Sequence, residues 1–202
     1  MSVGRPFVPF ARVDGPRDPG GGAGSRLRNI ASSRSAEHTS PEDVEQFAYD
    51  DRFSGFRLNP AVDGLPGRDV LAAMEAAGLP VLTYGGHGFG PQAVADHLLE
   101  FDFPVVVSHF GGYPLDGTMT ERTVDLLDDH DDLYVETGAV HSRAPVERAV
   151  MEHPDRVLFG SGAPTVHPSV GVMEVLTLDV PEDAMRKVFS NNAGRVVTDL
   201  AP

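Results

Sequence analysis

Six short runs of apolar and β-branched residues punctuate this chain, and their spacing constrains it more than any other feature. They are FVPFARV (7–13), FSGFRL (53–58), PVLTY (80–84), PVVVSHF (104–110), LYVETG (133–138) and RVLFGS (156–161). Each is nearly continuous in hydrophobicity, as a strand buried on both faces must be. From the second run onward the starts lie roughly 25 residues apart, which leaves room for one helix in each gap. That rhythm predicts a parallel α/β fold.

The gaps carry helix start signals. Ser40-Pro41-x-Asp43 offers an N-cap, a proline at the first helical position and an acid in the first turn. Residues 69–77 place Val70, Leu71 and Met74 on one side. Gly90-Pro91 opens a segment with Val94 and Leu98 four apart, and Thr118-x-x-Glu121 fits a capping box before Val124 and Leu127. Pro145 opens residues 146–152. Two further helices are predicted over 169–176 and 181–200, the second broken near Asn191.

The whole of 1–202 reads as one domain. Residues 14–40 are rich in Gly, Ser and Arg and poor in apolar residues. They read as a mobile surface loop, or as an anion-binding lid built on Arg26, Arg28 and Arg34.

Composition excludes several classes of function. There is no cysteine, so disulfides, thiolate ligands and thiol nucleophiles are ruled out. The net charge of −14 makes a nucleic-acid partner a poor expectation, since phosphate contacts need a basic face. No segment is apolar enough to span a bilayer, and the cytoplasm is the expected location. Lys187 is the only lysine among 16 basic residues. So acidic a surface repels itself at low salt and is screened at molar salt. It points to a halophilic source, or to a GC-rich genome, which also favours Arg over Lys.

In a parallel α/β fold the chemistry collects where strands end. The second run closes on Arg57-x-Asn59-Pro60, and the third on Tyr84, followed by Gly85-Gly86-His87-Gly88. The fourth closes on Ser108-His109, the fifth on Glu136-Thr137-Gly138, and the sixth on Ser161-Gly162, with His167 five residues beyond. Polar groups at so many consecutive ends predict a shared rim.

The segments GFRLNP, GLPVLTY, FPVVVSHFGG, DLYVETG, DRVLFGSGAP and FSNNAGRVV occur in an order and spacing that resembles the amidohydrolase-related family. These are metal-dependent TIM-barrel hydrolases with relatives like aminocarboxymuconate semialdehyde decarboxylase. The resemblance covers essentially the whole chain, and RPFVPFARVDG resembles the family's third strand. It implies a divalent metal, zinc or manganese, at the barrel mouth, bound by a His-x-His pair, two further histidines and an aspartate. Such a metal lowers the pKa of its bound water and polarises a carbonyl. His109 matches the family's sixth-strand histidine and is the expected metal ligand. Tyr84 stands at the fifth-strand histidine position and Gly162 at the aspartate position, and the His-x-His pair has no counterpart.

The expected fold is therefore a TIM-type (β/α) barrel lacking its first two strand–helix units. The open gap would be filled by upstream sequence, by a partner chain or by distortion. Arg57, Tyr84, His87, Glu136 and His167 are the candidate substrate-binding residues. Each has a plainer role: a surface position for His87, a partner for Arg57 in the case of Glu136, a loop position for His167. Two functions remain open: a metal-dependent hydrolase or decarboxylase acting on a small carbonyl compound, and a non-catalytic barrel kept for ligand binding or assembly. A homo-oligomer is compatible with either.

Overall fold

The computed structural model of the chain describes residues 7–19 and 38–200. Six parallel strands form one sheet in sequence order: β1 (Ala11–Val13), β2 (Phe56–Leu58), β3 (Val81–Thr83), β4 (Val105–Val107), β5 (Leu133–Glu136) and β6 (Val157–Leu158). The ordered strands are shorter than the apolar runs that announced them. The flanking residues of each run begin the loops at the two ends of the sheet.

Between them lie α1 (Pro41–Tyr49), the single turn α2 (Pro60–Asp63), α3 (Arg68–Ala77), α4 (Pro91–His97), α5 (Gly117–Asp129) and α6 (Arg143–Glu152). After β6 come α7 (Pro168–Leu176), α8 (Glu182–Arg186) and α9 (Asn192–Val196). Ser40 and Asp43 form the expected capping box on α1. Two starts differ from expectation. The carboxylate of Asp116, not Thr118, caps α5 by accepting from the Thr118 and Met119 amides, because a carboxylate two residues upstream reaches both orphan donors. Helix α6 starts at Arg143, and Pro145 sits within its first turn, where a missing N–H costs nothing. The last predicted helix is four pieces: α8, a π-turn over Lys187–Asn191, α9, and a 3-10 turn over Thr198–Leu200.

The pleat sorts residues onto two faces. Val81, Val105, Val107 and Val135 are fully buried and form one core with Val70, Leu71, Met74, Val94, Val124 and Leu127 of the helices. Burying each such side chain contributes roughly 1.5–3 kcal/mol. Arg12, Arg57, Leu82, Val106 and Tyr134 align in register on the opposite face. Leu158, 9% exposed, belongs with that face, in a second cluster with Val106, Val196 and Val197. Leu82, Tyr134, Val8 and Phe10 pack against it.

The C-terminal segment runs from β6 to the start of β2. Asn192 Nδ2 donates to the carbonyls of Pro154 and Val157 beside β6, at 2.8 Å each. A few residues later Asp199 accepts from the Ser54 hydroxyl just ahead of β2. Val196 and Val197 lie between these anchors. The inner face of the six-stranded sheet is thus covered in part by the chain's own last turns. The base of the 14–40 segment is clasped: Asp14 accepts from the Thr39 amide and hydroxyl at 2.9 and 2.8 Å. Burial opposes the charge on Asp14, but the Thr39 donors outweigh it and hold the carboxyl below its ordinary range. Arg26, Arg28 and Arg34 lie outside the described residues. No helix among the described residues is long and apolar enough to cross a membrane.

Candidate active site at the strand ends

His109 is the first residue after β4 whose conformation demands an explanation. It and Phe110 both adopt left-handed backbone angles, φ 59° and 47°, inside the tight turn Ser108–Gly111. Such angles cost bulky residues on the order of 1–3 kcal/mol apiece and persist only where surroundings fix them. Here the surroundings do so. The His109 amide donates to Glu136 Oε1 at 2.8 Å, and His109 Nδ1 lies 2.6 Å from the Gly138 carbonyl. A carbonyl can only accept, so Nδ1 carries a proton, and when the ring is neutral its lone pair is on Nε2.

Glu136, at the end of β5, is held as firmly. Its Oε2 accepts from the Gly138 amide at 2.8 Å, so the carboxylate is shared between two backbone donors on two loops. It occupies the space a side chain at position 160 would need: a Cβ on Gly160 would come 1.4 Å from Oε2. The expected ion pair with Arg57 does not form. Glu136's lone pairs are turned to the backbone, and the carboxylate nearest Arg57 is Asp63, at 3.9 Å. Asp63 is already forked by Arg12 at 2.7 and 3.1 Å. Arg57 is left half exposed on the inner face, next to Arg12 in the ladder.

Tyr84 does lie beside His109, with ring centroids 6.2 Å apart, and Tyr113 completes the cluster at 4.8 Å from His109 and 6.0 Å from Tyr84. Burial, then the proximity of Tyr113, pushes the Tyr84 hydroxyl above its ordinary pKa, so it stays a donor. It donates to the His87 carbonyl at 3.2 Å. The His87 imidazole points elsewhere: it is largely exposed, 3.7 Å from Asp116. His167 is not part of the cluster. It caps α7, its Nδ1 accepting from the Ser169 amide at 3.2 Å. Gly162 lies against the His109 anchor, since a Cβ there would meet the Ala139 amide nitrogen at 2.9 Å.

His109 lines a cavity of about 100 Å3 together with Asp116, Thr120, Val140, His141 and Ser142. His141 escaped the strand-end reading because it follows Gly138 by three residues, in the loop that opens α6. Tyr113 escaped it because nothing in GGYP distinguishes a cluster aromatic from a loop one.

These residues do not fit a metal held in a cage. Around His109, Glu136 is spent on backbone donors, Tyr84 on a carbonyl, and Gly162 offers no atom. One group of three potential ligands does converge among the described residues: Asp128, Glu152 and His153, within 4.8 Å. It sits where α5 and α6 end, away from the strand C-termini. Both His153 nitrogens are engaged there, Nε2 with Asp128 at 3.0 Å and Nδ1 with Arg156. Arg148 lies 3.7 Å from Asp128 and 2.9 Å from Glu152, so a guanidinium already supplies the positive charge.

The sequence pattern of the family described as Amidohydrolase matches residues 21–198. The chain belongs to the amidohydrolase family. No curated protein matches it. Solved structures do. An uncharacterised TIM-barrel protein from Bordetella bronchiseptica is 22% identical, covers 96% of this chain and 67% of its own, and superposes with a TM-score of 0.66. A 2,6-dihydroxybenzoate decarboxylase from Rhizobium is 14% identical over 94% of this chain and 70% of its own, with a TM-score of 0.60. A dihydroxybenzoic acid decarboxylase from Polaromonas, with bound manganese and 2-nitroresorcinol, is 15% identical over 77% and 64%, with a TM-score of 0.55. At such identities the likeness is one of fold: a TIM-type barrel of which this chain spans about two thirds. The six sequential parallel strands agree with that architecture.

Proposed function

We propose that this amidohydrolase-family chain acts on a small carboxylic acid or related carbonyl compound at the mouth formed by the ends of β4, β5 and β6, and that His109 is its reactive group. The observation that carries the reading is the fixed imidazole: Nδ1 bound to the Gly138 carbonyl, with the ring lining a cavity of about 100 Å3. A strained turn that presents one titratable side chain to a cavity is the kind of backbone outlier that marks working sites. The carboxylate substrates follow from the names of the structural neighbours, two of them decarboxylases of dihydroxybenzoic acids. Arg57, expected among the substrate-binding residues, lines neither of the cavities beside this mouth, whereas Arg143 lines the larger one.

The chemistry open to this chain is acid–base. His109 presents Nε2 to the bound compound while Nδ1 remains tied to a carbonyl, and Glu136 keeps that carbonyl's loop in place. A second reading, a metal-dependent hydrolase or decarboxylase, is favoured by the same feature, because a ring anchored through Nδ1 presents Nε2 as metal ligands do. One imidazole does not make a zinc or manganese site.

Calorimetric titration of the 202-residue protein with zinc and with manganese, beside His109→Ala, separates the two. The expected result is weak binding that the substitution does not change. Stoichiometric binding that disappears in His109→Ala would overturn the acid–base reading in favour of the metal enzyme.

A further inference from the structure

The cavity at His109 has a second imidazole on its wall, His141, and that ring is oriented by a carboxylate from another element. His141 Nδ1 lies 2.9 Å from Glu174 Oε1 on α7. A carboxylate only accepts, so Nδ1 carries a proton, and in the neutral ring Nε2 holds the lone pair. His109 has the same tautomer for the same reason. Val140, His141 and Ser142 line the His109 cavity and also a neighbouring one of about 140 Å3, walled by Thr137, Val175 and Leu178. The two cavities therefore meet at His141.

Glu174 is not a loose surface acid. Its side chain is 28% exposed, against 49% for His141, and its Oε2 is buried without a protein partner. It is delivered by α7, whose start is fixed by the His167 cap. His167 thus contributes at a distance, by setting the helix that sets Glu174.

We propose that His141, positioned by Glu174, is the proton-accepting base of the same mouth in which His109 lies, acting on a small carboxylic acid held where the two cavities join. The proposal deepens the function given above and rests on it for the class of compound. The anchors divide the labour. His141 Nδ1 is held by a carboxylate, the arrangement of a base histidine oriented by an acid, whereas His109 Nδ1 is held by a neutral carbonyl. His141 Nε2 therefore takes the proton that the bound compound releases, the electron pair stays on the compound, and the same nitrogen returns the proton. Glu174 also lines the larger cavity, beside Arg143, and acts through His141 as a positioning residue.

Carbethoxylation by diethyl pyrocarbonate, mapped residue by residue by mass spectrometry, tests this without a known substrate. The reagent acylates unprotonated imidazole nitrogen, so the reaction is run at about pH 8, above the ordinary imidazole range, where nucleophilicity decides the rate, and exposed His87 serves as internal reference. The expected result is that His141 reacts faster than His87. Glu174→Gln, which keeps an acceptor and removes the charge, should slow His141 roughly tenfold and leave His87 unchanged. Benzoate, as the probe acid, should protect His109 and His141 together. Equal rates at His141 and His87, unmoved by Glu174→Gln, would overturn the base. Protection of His109 alone would overturn the shared mouth. A Glu174-dependent rate with neither ring protected would leave the base standing and remove the carboxylic-acid reading beneath it.

Discussion

Gly162 shows how far the site stands from a metal cage. An aspartate there would need a left-handed backbone, since the residue has φ +70°. Its Cβ would press to 2.9 Å of the Ala139 amide nitrogen and 3.3 Å of the Ala139 side chain. Ala139 is itself left-handed, at φ 55°, so the two turns are fitted to one another. Placing there the acid that the family resemblance implies is therefore not a matter of one side chain. Gly162→Asp should lower stability by about 2 kcal/mol, from the left-handed penalty and the close contact together. It should also fail to create zinc or manganese binding. Thermal melts and a metal titration of the variant check both parts. A variant as stable as the parent that binds zinc stoichiometrically would mean that the loop yields and that the cage is latent.

The elements were legible where pattern and physics coincide. All six strands were visible as apolar runs: β4 and β6 are buried on both faces, while β1 and β2 alternate, with Arg12 and Arg57 exposed on the inner face. Ser40 and Asp43 announced their helix because both partners of a capping box are local in sequence. The site was legible only in part. His109 and Tyr84 are brought together as strand-end neighbours should be. The Arg12–Asp63 fork spans 51 residues and the His141–Glu174 pair spans 33, and no local signal foretells such partners. The same holds for the C-terminal segment. FSNNAGRVV carries a family resemblance, but its physical reason is Asn192, which is fully buried and ties α9 to two carbonyls beside β6. Asn192→Ala leaves both carbonyls without that donor and should cost about 2 kcal/mol. For a chain of this length that corresponds to roughly 4–8 °C in melting temperature. A differential scan measures it. An unchanged midpoint would show that the segment does not brace the open side of the sheet.

At the scale of the whole molecule, charge sets the conditions under which the fold is stable. Thirty acidic residues face 16 basic ones. Arg148 alone lies within 4 Å of Glu121, Asp125, Asp128 and Glu152, at 3.8, 2.6, 3.7 and 2.9 Å. Salt acts on this surface in two opposed ways. It weakens the exposed pairs, each worth roughly 0–1 kcal/mol, and it screens repulsion among the carboxylates left over. Repulsion dominates, because 14 negative charges have no counterpart and act at distances where the pairs do not. At low salt the Debye length is roughly 30 Å, and at 1 M it is about 3 Å. The melting temperature should therefore rise between 0.01 and 1 M KCl by on the order of 10 °C, equivalent to a few kcal/mol. The shape of the rise identifies its cause. Screening is largely complete once the Debye length falls below the spacing of neighbouring charges, so the curve should flatten near molar salt. A rise that continued linearly beyond it would come from exclusion of salt from the protein surface. A flat or falling midpoint would mean that the ion pairs outweigh the excess, and that the acidity of this chain is not an adaptation to salt.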